Sequence, residues 1–172
     1  PQSAPGERFV YSDIGYIVLG EIVARVAGQP LQTFVQQRIL DPMRMTSAGF
    51  TPIEARRGVI APTQFCTAYG WPCDGPNQIL LQGIVHDPTA RRMGGVAGHA
   101  GLFGSAEDLS RFARMLLRGG ELDGRRVLSP AGVVRMTSTA TPPNLNVQRG
   151  LGWDIDSSYS ANRGDLYPIG SF

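Results

Sequence analysis

A phenol, a hydroxyl and a carboxylate crowd into the run Phe9-Val-Tyr11-Ser12-Asp13-Ile-Gly15-Tyr16, on the turn that enters a helix. A helix start favours anionic groups, and a tyrosine that serves as a base spends part of its cycle as phenolate. The same residues also read as a capped helix with a packing tyrosine. A second constellation, Gly94-Gly95-Val-Ala-Gly98-His99-Ala-Gly101-Leu-Phe-Gly104, holds five glycines in eleven residues. Such a loop either lets backbone approach a ligand or packs as a tight turn on other backbone. Its spacing matches neither G-x-G-x-x-G after a strong strand nor G-x-x-x-x-G-K. His99 is either a group that titrates near neutrality and donates to a ligand or a structural histidine.

His86-Asp87-Pro88 sets an imidazole beside a carboxylate, but no G-x-S-x-G elbow accompanies it, and chain neighbours rarely point at one another as a catalytic triad requires. A pair that braces a loop is the better reading. Two histidines 13 residues apart, with no H-E-x-x-H, give no reason to expect a metal or other cofactor.

Composition narrows the chemistry further. All 16 basic residues among the 172 are arginine, so no lysine is present. A Schiff base, a P-loop lysine and a Ser-x-x-Lys pair all need an amine that guanidinium cannot replace. The net charge of +2 is scattered, which leaves no footprint for nucleic acid. Hydrophobic residues at 42% and charged residues at 17% describe a chain that folds rather than a disordered one. No apolar run reaches membrane-spanning length, and the first residues have neither the basic start nor the apolar stretch of a signal peptide. Cys66 and Cys73 are wrongly spaced for a structural zinc site and read either as a local loop disulfide or as two buried or half-buried thiols.

The elements that position these residues can be read from caps and periodicity. Ser12 or Asp13 caps a helix whose apolar positions Ile14, Ile17, Val18, Ile22 and Val26 share a face, and Gly28 stops it. A second helix starts at Pro30, carries Leu31, Phe34, Val35 and Ile39 inward and ends at Asp41-Pro42. From Met43 to Gly104 the pattern weakens into ordered loop that either wraps over a site or hides short helices, with 79–84 as one candidate. Ser105 caps a helix bearing Leu109, Phe112, Ala113, Leu116 and Leu117, ended by Gly119-Gly120. An Asp123-Gly124 turn follows, and Ser129-Pro130 opens a further helix to about Thr137. Gly150 to Asp156 alternates like a strand. The glycines and prolines, 22 and 13 of them, are about a fifth of the chain and demand much loop.

The ordered set Pro5-Gly-Glu-Arg-Phe-Val-Tyr11-Ser12-Asp13-Ile-Gly15-Tyr16, Leu40-Asp-Pro42-Met-Arg-Met45-Thr46, Gly94 to Phe103, Leu128-Ser-Pro130 and Gly150-Leu-Gly-Trp153 resembles the serine beta-lactamase and penicillin-binding-protein-like family. The likeness runs over nearly the whole chain and leans to the class C beta-lactamase, esterase and D-aminopeptidase branch. It implies acyl transfer by a serine from a Ser-x-x-Lys helix on an amide, lactam or ester substrate, with a Tyr-x-Asn tyrosine helping to move the proton. By position Tyr11 would be that tyrosine, and Asp13 would stand where the family usually has asparagine. The added negative charge would disfavour phenolate at Tyr11. Ser12, Gly95, Gly98 and His99 would border the substrate cleft.

The resemblance also implies a nucleophile helix well before Tyr11 and a Lys-Thr-Gly or His-Thr-Gly strand just after Tyr167-Pro-Ile-Gly-Ser-Phe172. The expected picture is one partial domain, mostly helical with long ordered loops and a small β part. It is the helical region (1–140) of a beta-lactamase-like α/β fold with an incomplete sheet begun by 150–172. Such a fragment, alone, is expected to be inactive and to self-associate through uncovered sheet edges. The family suggests a periplasmic or secreted protein. The rival reading is a noncatalytic binding or scaffold module that keeps the fold.

Overall fold

The computed structural model describes residues 3–67, 73, 76–164, 167–168 and 171. Two compact units divide the chain: Ser12–Ala113, and Pro1–Tyr11 with Arg114–Phe172. Described regular structure is mostly helical, with four two-stranded antiparallel ladders.

Within Ser12–Ala113, helix α1 spans Asp13–Ala27, with Ser12 in extended backbone at its N-cap and Gly28 left-handed at φ 66° beyond its end. Helix α2, Leu31–Val35, runs directly into a π-helical turn over Gln36–Leu40, so the chain stays helical to the expected stop at Asp41-Pro42. Between Met43 and Gly104 lie short pieces, as a weak periodicity implies. Strand β1 (Gly49–Phe50) precedes helix α3 (Glu54–Arg57), and strands β2 (Phe65–Thr67) and β3 (Gln78–Leu80) form a ladder. Helix α4 (Pro88–Arg92) and strand β4 (Leu102–Phe103) follow, with β4 returning to pair with β1.

The candidate helix at 79–84 is not there: Ile79 pairs with Cys66 in the β2–β3 ladder, and Gly83 turns the chain at φ 66°. Side-chain packing on a half-buried ladder suits β-branched Ile79, and this outweighs weak helical spacing. Cys66 and Cys73 form a disulfide beside this ladder, which answers the choice that the sequence left open. Leu40, Met43, Met45, Cys66, Leu81, Val85, Ala90 and Ala97 are the buried apolar residues among those described in this unit.

The face that α1 turns inward differs from the expected one. Ile14, Val18, Ile22 and Val26 are exposed, and the packed positions are Tyr16, Ile17, Gly20, Val23, Ala24 and Ala27. Gly20 is buried because the glycine-rich loop crosses it: a Cβ there would lie 3.1 Å from the Gly98 Cα. Close backbone approach, not side-chain size, chooses the buried face.

Helix α5 (Ala106–Leu117) starts on the reciprocal cap that its sequence promises. The Asp108 amide donates to the Ser105 hydroxyl at 3.1 Å, and the Ser105 amide donates to the Asp108 carboxylate at 3.4 Å. That carboxylate is buried and also accepts from the Ser47 amide at 3.1 Å, which ties the loop after α2 to the helix start.

In the other unit, strands β5 (Glu121–Leu122) and β6 (Arg125–Arg126) close on Asp123-Gly124, both left-handed as a tight hairpin turn demands. Helix α6 (Pro130–Thr137) is capped by the Ser129 hydroxyl, which accepts from the Gly132 amide at 3.0 Å. The strand expected over 150–156 is shorter: β8 is Asp154–Asp156, paired with β7 (Gln148–Arg149), because Gly152 turns the chain at φ 89° before it. Met115, Leu116, Leu122, Val133 and Ile155 are buried here. Part of the expected C-terminal sheet region, residues 165–166, 169–170 and 172, lies outside the described residues.

Candidate functional site

Tyr11 belongs to the unit formed by the chain's two ends. Its side chain is half in solvent, and its ring stands 5.4 Å from that of Tyr159 at an interplanar angle of 38°. The Arg149 guanidinium lies over its face at 5.6 Å and over the Phe9 ring at 5.3 Å. With no lysine in the chain, an arginine is the cation left to compensate a tyrosine base. Arg149 meets the aromatic face, and it also donates to Asp154 at 2.8 Å. The cation–π contact contributes about 0.5–2 kcal/mol to holding the ring. The phenol is therefore accessible and its ring is restrained, without burial in an apolar cluster.

In the other unit, Asp13 stands exposed in the first turn of α1, and the Ser12 hydroxyl makes no cap bond. The glycine-rich loop lies against this helix. A Cβ on Gly98 would overlap the Tyr16 carbonyl oxygen, and one on Gly101 would overlap the Gly95 carbonyl oxygen. Gly95 and Gly101 are also left-handed, at φ 85° and 113°. Of its two sequence readings, backbone packed on backbone is therefore realised at Gly98 and Gly101.

The loop's histidine has a partner that neither motif announces. His99 Nε2 lies 2.8 Å from Asp87 Oδ1, and the histidine side chain is 4% exposed. His86, next in sequence to Asp87, is exposed. Asp87 thus braces a loop as expected, but against an imidazole twelve residues away. The same oxygen caps α4 by accepting the Ala90 amide at 2.7 Å. Burial raises the Asp87 pKa, but the Ala90 amide, the His99 hydrogen bond and charge, and the Thr89 amide outweigh it, so the carboxyl is held below its ordinary value. As a carboxylate it only accepts, so Nε2 carries the hydrogen. His99 Nδ1 is buried without a hydrogen-bond partner among the described residues.

Ligand atoms of Asp13, Asp87 and His99 lie within 4.8 Å of one another, close enough to surround a cation. Coordination through Nε2 would require the hydrogen on Nδ1, where a buried N–H wants an acceptor, and none bonds it among the described residues. The arrangement suits a hydrogen-bonded carboxylate–imidazole pair better than a metal centre.

Two open grooves flank these groups in the same unit. One, of about 770 Å³, runs beside α1 and is lined by Ile17, Val18, Ile22, Leu31, Met93 and Gly98. The other, of about 810 Å³, is lined by Phe50, Ile53, Val59, Ile60 and Phe103 among others. Neither is lined by Asp13 or His99. No described helix is long and apolar enough to cross a membrane alone.

The family profile described as Beta-lactamase matches residues 1–169. A protein of Escherichia coli strain K12, provisionally named D-alanyl-D-alanine carboxypeptidase, is 36% identical over 163 residues, covering 90% of this chain and 36% of its own length. An N-acetylmuramyl-L-alanine amidase of Bacillus subtilis strain 168 is 34% identical over 165 residues, with the same two coverages of 90% and 36%. The chain thus spans about a third of these curated relatives. Among solved structures, a beta-lactamase from Mycobacterium bovis superimposes with a TM-score of 0.62 at 21% identity, over 98% of this chain and 48% of that one. A D-amino acid amidase from Ochrobactrum anthropi gives 0.58 at 18% identity, over 90% and 43%. These two establish likeness of fold. With the profile matched almost end to end, the chain belongs to the beta-lactamase family.

Proposed function

We propose that this chain is the tyrosine-bearing part of a longer serine hydrolase that cleaves an amide bond in a D-amino-acid or muramyl peptide. The observation that carries this reading is the family match over residues 1–169, with Tyr11-Ser12-Asp13 at the head of α1. In this reading a serine outside these residues attacks the carbonyl, and Tyr11 relays its proton toward the leaving amine. Water then releases the acyl group from the serine. Lactams and esters pass through the same kind of tetrahedral species, so peptides are favoured only by the names of the relatives.

The chain contains neither lysine nor a Ser-x-x-Lys pair, so the 172 residues alone are expected to be silent. A noncatalytic scaffold is the second reading. It is favoured by the pairing of Arg149 with Asp154, which engages the guanidinium over the Tyr11 ring, and by the charge that Asp13 brings.

The test uses the full-length protein from the source reading frame and follows amine release from a D-alanyl-D-alanine peptide and a muramyl peptide. Turnover that drops by about 100-fold or more in Tyr11→Phe supports the hydrolase. Turnover that survives this change refutes the role of Tyr11, and a correctly folded full-length protein without turnover supports the scaffold.

A further inference from the structure

Asp13 and Asp87 come from distant parts of the chain, yet their carboxylate oxygens lie within 4.8 Å of one another and of a His99 ring nitrogen. Two carboxylates this close repel unless a hydrogen-bond donor faces them. Asp87 spends its oxygen on the Ala90 amide and on His99, and Asp13 stands in the first turn of α1. The imidazole cannot easily leave: its side chain is 4% exposed, and the neighbouring Gly98 is wedged against the Tyr16 carbonyl. Its hydrogen-bearing nitrogen donates to Asp87, so the ring draws off charge from the acid that faces Asp13.

We propose that His99 is a positioning residue for Asp13: gripped by Asp87 on the glycine-rich loop, it offsets the repulsion between the two carboxylates and thereby sets the start of α1. The inference rests on the hydrolase reading, because Asp13 lies two residues after Tyr11, and it adds a role to a histidine for which sequence motifs supply none. It accounts for aspartate being tolerated where the resemblance expects a neutral amide. The donor on Asp87 weakens the charge that Asp13 faces.

A double-mutant cycle between Asp13→Asn and His99→Leu, which cannot donate, in the full-length protein tests this. With Asp13 present, His99→Leu is expected to lower kcat/KM by at least about threefold more than it does in the Asp13→Asn background, chiefly through kcat. Thermal unfolding supplies a reading that does not depend on turnover. Asp13→Asn should raise Tm in the His99→Leu protein and leave it unchanged or lower in the parent. A histidine that merely fills space would give no such reversal of sign.

Should His99→Leu fail to fold, Asp87→Asn takes its place. It removes one of the two like charges while keeping a capping side chain, and Asp13→Asn should then lose its effect on Tm. Additive losses in kcat/KM together with additive shifts in Tm would overturn the inference even if hydrolysis continues. A correctly folded full-length protein without turnover would instead remove the hydrolase reading, while the Tm cycle would still decide whether His99 serves Asp13.

Discussion

Replacing Gly98 by alanine should be among the most damaging single-methyl additions in the α1 unit, and its cost can be worked from the backbone. The new Cβ would lie 2.9 Å from the Tyr16 carbonyl carbon and 3.1 Å from the Gly20 amide nitrogen, where ordinary contact begins at 3.4 Å, and nearer still to the Tyr16 oxygen. Relief at the Tyr16 oxygen requires the loop and helix to separate by about an ångström or more, since backbone cannot rotate away as a flexible side chain would. Overpacking of this kind costs about 1–3 kcal/mol, and a helix-to-loop contact made by main chain on both sides belongs at the upper end.

At about 2–4 °C per kcal/mol for a chain of this size, Gly98→Ala should lower Tm by about 5–10 °C. Gly15→Ala is the internal control. It adds the same methyl within α1, where nothing lies within 4 Å, and it should stabilise by about 0.5–1 kcal/mol. Urea unfolding of both variants beside the parent decides the matter. Equal midpoints for Gly98→Ala and the parent would refute the close backbone packing, and with it the account of why α1 buries Gly20.

Other outcomes follow from the same contacts. Because the folded Asp87 pKa lies below its ordinary 3.8, this carboxylate stabilises the fold above that value, and the contribution disappears as pH falls through the depressed folded value. Asp87→Asn should therefore flatten the acid limb of a stability-against-pH curve below about pH 4 while leaving its neutral region lower; an unchanged acid limb would show that other carboxylates govern it. The exposed apolar stripe Ile14, Val18, Ile22 and Val26 predicts that the isolated 172 residues self-associate. Light scattering should show species larger than the monomer, reduced by Ile22→Glu with Val26→Glu, and a clean monomer at high concentration would contradict the expectation.

Where the chain's instructions are local, the sequence could be read directly. Ser105 with Asp108, Ser129 before Pro130 and Asp123-Gly124 each encode a cap or turn within four residues, and each forms as its chemistry requires. The fold class, mostly helical with small ladders, follows from such elements. The inward face of α1 was not legible, because hydrophobicity pointed to Ile14 and Val18, whereas the determining contact is between Gly20 and a loop more than seventy residues later. The segment 79–84 shows the same limit, since ladder pairing with Cys66 settles what its own spacing leaves ambiguous.

At the candidate site, Tyr11, Asp13 and the glycine run could be singled out by type. The union of Asp87 with His99 could not, because eleven intervening residues must turn before it exists. A usable signal was present in Asp87-Pro88, a helix cap whose carboxylate oxygen can accept more than one donor, followed by a histidine enclosed among glycines.

One oxygen of Asp87 holds both the first turn of α4 and the His99 ring, at 2.7 and 2.8 Å. The stretch between them is therefore a ring closed without a covalent bond. Slow amide exchange at Ala90 and slow flipping of the imidazole should be one event, since neither can be released without loosening the other's clasp.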